Sequence, residues 1–184
     1  LLRHQRGLPP HRINYRANIA AMAIKGVDRM VSIGSAGALR REIPVGSLVI
    51  PTDYISMTDI PSIHNHAIEH VSPEMDLPLS RSLKDLIPEA RLGGIYVQTR
   101  GPRIETRAEV QVLARIADIV GMTVASEATL ARELNIPFAA LCTIDNLAHG
   151  LGGEVLTYEH ILEASRAHKD RTGEIVQRMV EALS

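Results

Sequence analysis

The chain has 184 residues and a mass of 20.1 kDa, the length of one domain that can bury its own core. Hydrophobic residues make up 45% and charged residues 22%, an ordinary globular balance that excludes disorder, collagen and coiled coil. Lys and Arg total 20 against 21 Asp and Glu, so the net charge is −1 and no general basic surface for nucleic acid is implied.

In chain order, residues 14–25 read as a helix with Ile19, Met22 and Ala23 at helical spacing and Gly26 as its stop. Residues 29–34 read as a strand that ends in a small-residue turn, Ser-Ala-Gly-Ala. Residues 47–50 form a second short strand. Residues 51–88 are polar and punctuated by proline, and read as a long excursion with little regular structure. A strand follows at 94–98. A helix at 106–116 is expected to place Ala108, Val112 and Ile116 on one face. Residues 118–120 read as a very short buried strand and 127–134 as a helix stopped by Asn135 and Pro137. Residues 138–144 are apolar without alternation, as in a strand buried on both faces. Residues 158–183 read as one long amphipathic helix with Thr157 as N-cap.

Strands that alternate with helices predict an α/β sandwich around a central, mostly parallel or mixed sheet. Ligands in such sheets bind at the carboxyl ends of strands. That rule selects four segments. Ile33-Gly34-Ser35-Ala36-Gly37-Ala38-Leu39 offers close backbone approach and free N–H groups, or is only a tight connection. It lacks the third glycine of a dinucleotide fingerprint. In the segment from Gly101 to Glu109, Glu105 can accept from a ring N–H, or Glu105 or Thr106 merely caps a helix, with Glu109 completing a capping box. Val120-Gly121-Met122-Thr123 presents a hydroxyl and backbone amides suited to phosphate or sugar, although a methionine such as Met122 is more often core than ligand. Glu127, four residues on, is expected to complement a helix dipole. Asp145 and Asn146 stand straight after the most buried strand, and an asparagine can read a heterocycle edge as both donor and acceptor.

A fifth segment, Arg3-His4, could bind an oxyanion or be a loose terminus. His64, His66 and His70 cluster in the excursion, but irregular spacing and the absence of flanking cysteine argue against zinc. Cys142, the single cysteine, allows neither an intrachain disulfide nor a Cys-based zinc site, and inside an apolar run it reads as a small hydrophobe. No apolar run approaches the length of a membrane span and no signal peptide is recognised, so a cytoplasmic protein without membrane contact is expected. Aromatic residues are 3% of the chain, too few for a single-strand stacking platform.

In order and spacing, these segments together resemble the trimeric-type purine nucleoside phosphorylases and 5'-methylthioadenosine phosphorylases. The resemblance rests on Arg3-His4, the Pro-Pro-His-Arg-Ile-Asn-Tyr-Arg-Ala-Asn-Ile run at 9–19, Gly-Ser-Ala-Gly-Ala-Leu-Arg at 34–40, Gly-Pro-Arg-Ile-Glu-Thr-Arg-Ala-Glu at 101–109, Val-Gly-Met-Thr at 120–123 and Asp-Asn-Leu-Ala-His-Gly at 145–150. It covers essentially the whole chain as a single domain, 1–184. It implies a three-layer α/β sandwich around a central mixed, partly barrel-like sheet, built into trimers or dimers of trimers. The implied reaction cleaves the N-glycosidic bond of a purine nucleoside with inorganic phosphate as co-substrate, without cofactor or metal, giving free base and ribose 1-phosphate. Such a reaction draws on positioning and electrostatic preorganisation, and needs no protein nucleophile.

Carried over residue by residue, the resemblance implies that Arg3, His4 and Thr123 bind phosphate with help from the Ser35 backbone. Met122 lies against ribose and Tyr158 near the 5' group. Ala36, Gly37, Ile104, Glu105 and Asn146 form the base site, with Glu105 and Asn146 as the catalytic pair and Ile104 where the family has a stacking aromatic. Asparagine at position 146 goes with 6-oxopurines such as inosine, guanosine and 5'-methylthioinosine. An aspartate there goes with 6-aminopurines, and a one-residue shift would place Asp145 in the reading position. Two rivals follow: a 5'-methylthioadenosine phosphorylase, and a nucleoside-binding paralogue or incomplete fragment without catalysis. Ala125-Ser126-Glu127 departs from the family's Val-Pro-Glu. The family also begins with a strand and a Gly-rich phosphate loop before the Arg-His segment, so a chain opening at Leu1 without methionine reads as N-terminally truncated, lacking that strand.

Overall fold

The computed structural model describes residues 7–66, 68–153 and 157–183. A 3-10 turn at Pro10–Arg12 leads into α1, Tyr15–Ile24, capped by Asn14, which accepts from the Ala17 N–H at 3.1 Å. Gly26, at φ 72°, ends the helix as expected.

The strands β1 (Met30–Ala38), β2 (Leu48–Ile50), β3 (Asp53–Ser56), β4 (Arg91–Leu92), β5 (Ile95–Gln98), β6 (Ile119–Gly121) and β7 (Phe138–Leu147) form one curled, mixed sheet in the order β3-β5-β6-β1-β7-β2-β4. β3, β5 and β6 are parallel to one another, and β1 and β7 are parallel to each other. β6 meets β1 antiparallel. The direction of the sheet therefore reverses between β6 and β1, where Gly37 pairs with Val120 and the end of β1 at Ala38 lies beside the start of β6 at Ile119.

Helices cover both faces. α1 and α4, Val124–Glu133, pack with Tyr15, Ile19, Ala128 and Leu130 against Phe138, Ala140, Cys142 and Ile144 of β7. α2, Leu77–Leu86, and α6, Lys169–Leu183, close the other face with Leu79, Leu83, Ile175 and Met179 against Ala139 and Leu141. Alternate β7 residues thus belong to opposite cores, which explains the unbroken apolar run. α3, Arg107–Leu113, adds a third cluster through Val110 and Leu113. These three layers match the expected sandwich.

Several expected boundaries differ. β1 runs on through Ser35, Ala36, Gly37 and Ala38, because β7 pairs with it along its whole length. Its small residues serve packing: a Cβ at Gly34 would stand 3.2 Å from Val124 Cγ2. Residues 51–88 contain β3 and α2. The first is a four-residue edge strand and the second is capped by Asp76, which accepts from the Leu79 N–H. The Thr106 capping box with Glu109 is present, but α3 buries Val110 and Leu113 and leaves Val112 and Ile116 exposed. The helix ends at Leu113, too soon to carry the expected stripe. The long C-terminal helix divides at His168 into α5, Tyr158–Ala167, and α6.

No helix among the described residues is long and apolar enough to cross a membrane. Among those residues no group of three or more His, Cys, Asp or Glu could hold a metal ion, and His64 instead faces Glu69 at 3.4 Å.

Candidate active site

The four segments selected at strand ends meet around the reversal of the sheet. β7 carries one residue more than β1 there: Ala36 pairs with Ile144 and Gly37 with Asn146, which leaves Asp145 as a bulge. The bulge turns the two neighbours to different fates. Asp145 is 4% exposed; its Oδ2 accepts from the Ser35 hydroxyl, and its Oδ1 is buried with no hydrogen-bond partner among the described residues. Asn146 is half-buried and donates from Nδ2 to the Leu147 carbonyl at 2.9 Å. One N–H and the Oδ1 of that amide remain for a ligand. Both residues lie within β7, where a position just beyond the strand was expected.

Glu105 is 7% exposed on the turn that precedes α3, where its carboxylate accepts from the Thr99 hydroxyl. His149 Nδ1 lies 3.0 Å from the Glu105 carbonyl, which joins the segment after β5 to the segment after β7. Ile104 beside it is half-buried. The same turn touches the third segment: a Cβ on Gly101 would stand 2.4 Å from Met122 Sδ. The Tyr15 hydroxyl lies 3.3 Å from the Met122 carbonyl, so the run at 9–19 braces this loop from beneath. Burial, followed by the negative charge of Glu127, raises the Tyr15 pKa well above its ordinary value. The hydroxyl therefore stays neutral.

A cleft of about 720 Å³ opens at Glu105, lined also by Thr99, Gly101, Arg103, Met57 and Val112. Ala36 is buried in the core, and its side chain packs with the apolar residues there. Tyr158 is 64% exposed at the start of α5. Arg3 and His4 lie outside the described residues. Thus Ser35, Gly37, Glu105, Met122, Thr123 and Asn146 are gathered at the reversal, whereas Ala36 and Tyr158 are not presented there by their side chains.

Sequence reading missed the supports. Tyr96, wholly buried, accepts from the Thr123 and Val124 N–H groups at 3.2 and 3.4 Å. Gln98, 2% exposed, donates to Ser126 Oγ at 2.7 Å and accepts from the Ser126 N–H at 3.0 Å. Two polar side chains two residues apart in a short strand signal one shared face, but not its partner. Glu127 is 9% exposed and accepts from the Ser32 hydroxyl. Its carboxylate is thus tied into the core between α4 and β1, rather than being merely a surface complement to a helix dipole. Cys142 is inert: burial, then the charges of Glu127 and Asp145, push its thiol up to about 12.

The sheet, its layers and its reversal between β6 and β1 define a nucleoside-phosphorylase-type fold. The family model described as the Phosphorylase superfamily matches residues 2–181, and the chain belongs to that family. A probable 6-oxopurine nucleoside phosphorylase of Archaeoglobus fulgidus is 41% identical over 180 residues, covering 95% of this chain and 74% of the relative. A probable S-methyl-5'-thioinosine phosphorylase of Methanocaldococcus jannaschii is 33% identical, covering 98% and 75%. Among solved structures, a methylthioadenosine phosphorylase from an antarctic soil metagenomic library superposes with a TM-score of 0.88 at 28% identity, covering all of this chain and 69% of that one.

Proposed function

We propose that the protein is a pentosyltransferase that cleaves purine nucleosides with inorganic phosphate, giving free base and ribose 1-phosphate, with preference for 6-oxopurines. The observation that carries the preference is the bulge at Asp145. It leaves Asn146, not the neighbouring acid, opposite Gly37 with a free amide edge. An amide can donate to O6 and accept from a ring N–H, whereas a carboxylate can only accept. The similarity to a 6-oxopurine enzyme at 41% identity supports the same reading.

In this reading Glu105 and Asn146 face the departing base, with Gly37 and Ile104 beside it. Glu105 is held by Thr99 so that one carboxylate oxygen remains for a ring N–H. Negative charge that develops on the purine is met by the Asn146 amide, and positive charge on the ribose is met by phosphate. Met122 lies against the ribose, and Thr123, the Ser35 backbone, Arg3 and His4 hold the anion. No cofactor or metal takes part. The working protein is a homo-oligomer, a trimer or dimer of trimers, in the cytoplasm.

The similarity to an S-methyl-5'-thioinosine phosphorylase favours a second reading of the 5' end, in which a methylthio group replaces the hydroxyl. Initial rates on inosine, 5'-methylthioinosine and 5'-methylthioadenosine, with and without phosphate, test both. Phosphate-dependent cleavage of the 6-oxopurines is expected. Preference for 5'-methylthioadenosine overturns the assignment of Asn146, and equal rates without phosphate overturn phosphorolysis.

A further inference from the structure

Among the described residues, three threonines stand at helix N-caps. Thr106 and Thr157 have extended backbones and accept from the N–H three residues on, that of Glu109 at 3.2 Å and that of His160 at 3.3 Å. Thr123, at φ −136° and ψ −42°, makes no side-chain cap bond. The N–H it would ordinarily take is that of Ser126, and this is the group that Gln98 Oε1 accepts. Tyr96 satisfies the two N–H groups nearest the cap. Gly121 is bare because a Cβ there would stand 2.3 Å from the Tyr96 hydroxyl. α4 is therefore capped from the neighbouring strand β5, and the threonine at its mouth is relieved of that duty.

We propose that Gln98 is a positioning residue for phosphate: by holding the Ser126 N–H it keeps the Thr123 hydroxyl free to meet the anion. The inference rests on the function proposed above. Ser126 fits it from the other side. A proline at this position would have no N–H and make no demand on a threonine. A serine restores the N–H, and Gln98 is the side chain that answers it.

The test is steady-state kinetics of Gln98→Leu with phosphate and nucleoside varied separately. The expected result is a rise in KM for phosphate of about five- to tenfold, the size of an N-cap's contribution, with kcat and nucleoside KM little changed. Gln98→Leu combined with Ser126→Pro removes the orphaned N–H and is expected to restore the phosphate KM. Thr123→Val in the parent needs no change in the core. It is expected to raise the phosphate KM and to abolish the thermal upshift caused by inorganic phosphate, without lowering the ligand-free melting temperature. An equal rise in both Michaelis constants, an unrescued double variant, or a Thr123→Val that melts lower yet binds phosphate normally overturns the inference while leaving the function standing. A parent without phosphate-dependent cleavage overturns the function, and the inference with it.

Discussion

The side-chain amide of Asn146 lies against the bare α-carbon of Gly37, where a Cβ would stand 3.0 Å from Nδ2. The β bulge at Asp145 sets that contact by bringing the two residues into register. Gly37→Ala forces the amide to move by a few tenths of an ångström. Such a shift at a positioned group is expected to lower kcat/KM on inosine by about tenfold or more. Melting temperatures are expected to change little, and parallel kinetics and thermal scans separate the two effects.

Asn146→Asp replaces the N–H that meets the Leu147 carbonyl with a second acceptor at 2.9 Å. The variant is expected to lose activity on inosine and to gain relative activity on adenosine. The ratio of kcat/KM values should swing by about 100-fold, because a site built for one hydrogen-bond pattern leaves a group unpaired with the other. An unchanged ratio means that position 146 does not read the base.

The Ser35 hydroxyl is the single hydrogen-bond donor that the described residues supply to the Asp145 carboxylate, which already has one unpaired oxygen. Ser35→Ala strips that donor and is expected to destabilise the fold by about 1–3 kcal/mol in urea unfolding. Ser35→Ala combined with Asp145→Thr is expected to recover most of the loss, because it removes the buried charge with its partner.

Thr106 and Glu109 cap α3 reciprocally, and Arg103 grips the same carboxylate through both oxygens at 2.6 and 2.7 Å. The Arg103 guanidinium, then the Thr106 backbone N–H, draws the Glu109 pKa down from 4.5 to about 2. A carboxylate depressed on folding adds stability that is complete above its ordinary value and fades as the pH falls toward 2. The Glu109 side chain is 42% exposed, so solvent screens the pair and the gain is small. Glu109→Gln is expected to melt lower than the parent at pH 7 and to converge with it near pH 2. Thr106→Ala is expected to cost about 1 kcal/mol at pH 7.

Leu141 is 1% exposed in the middle of β7 and packs toward α2 and α6. Leu141→Ala is expected to cost about 2–5 kcal/mol, and chemical unfolding measures it. The face of β7 that carries the cost is opposite the one that holds Cys142.

What the sequence made legible was local. The Thr106 and Thr157 caps, the stop at Gly26 and the doubly buried run at Phe138 each depend on near neighbours, and each stands as expected. What it concealed was set across the sheet. Gly37 read as part of a turn because glycine signals turns, yet here the bareness of Gly34 and Gly37 admits Val124 and Asn146 from other elements. β3 is short and partly polar, and only its pairing with β5 makes it a strand. The gathering of Glu105, Met122 and Asn146 followed from the rule of strand carboxyl ends. The braces beneath them, Tyr96 and Gln98, were invisible because their partners lie 27 and 28 residues away along the chain.

β2 pairs with β7 only at Cys142 and Thr143, so the last four residues of β7 have β1 alone as a neighbouring strand among the described residues. The body of the strand, Ile144 included, is locked between two cores, whereas half-buried Asn146 at its tip belongs to neither. Substrate preference can therefore diverge by single substitutions at the tip while the scaffold is inherited unchanged.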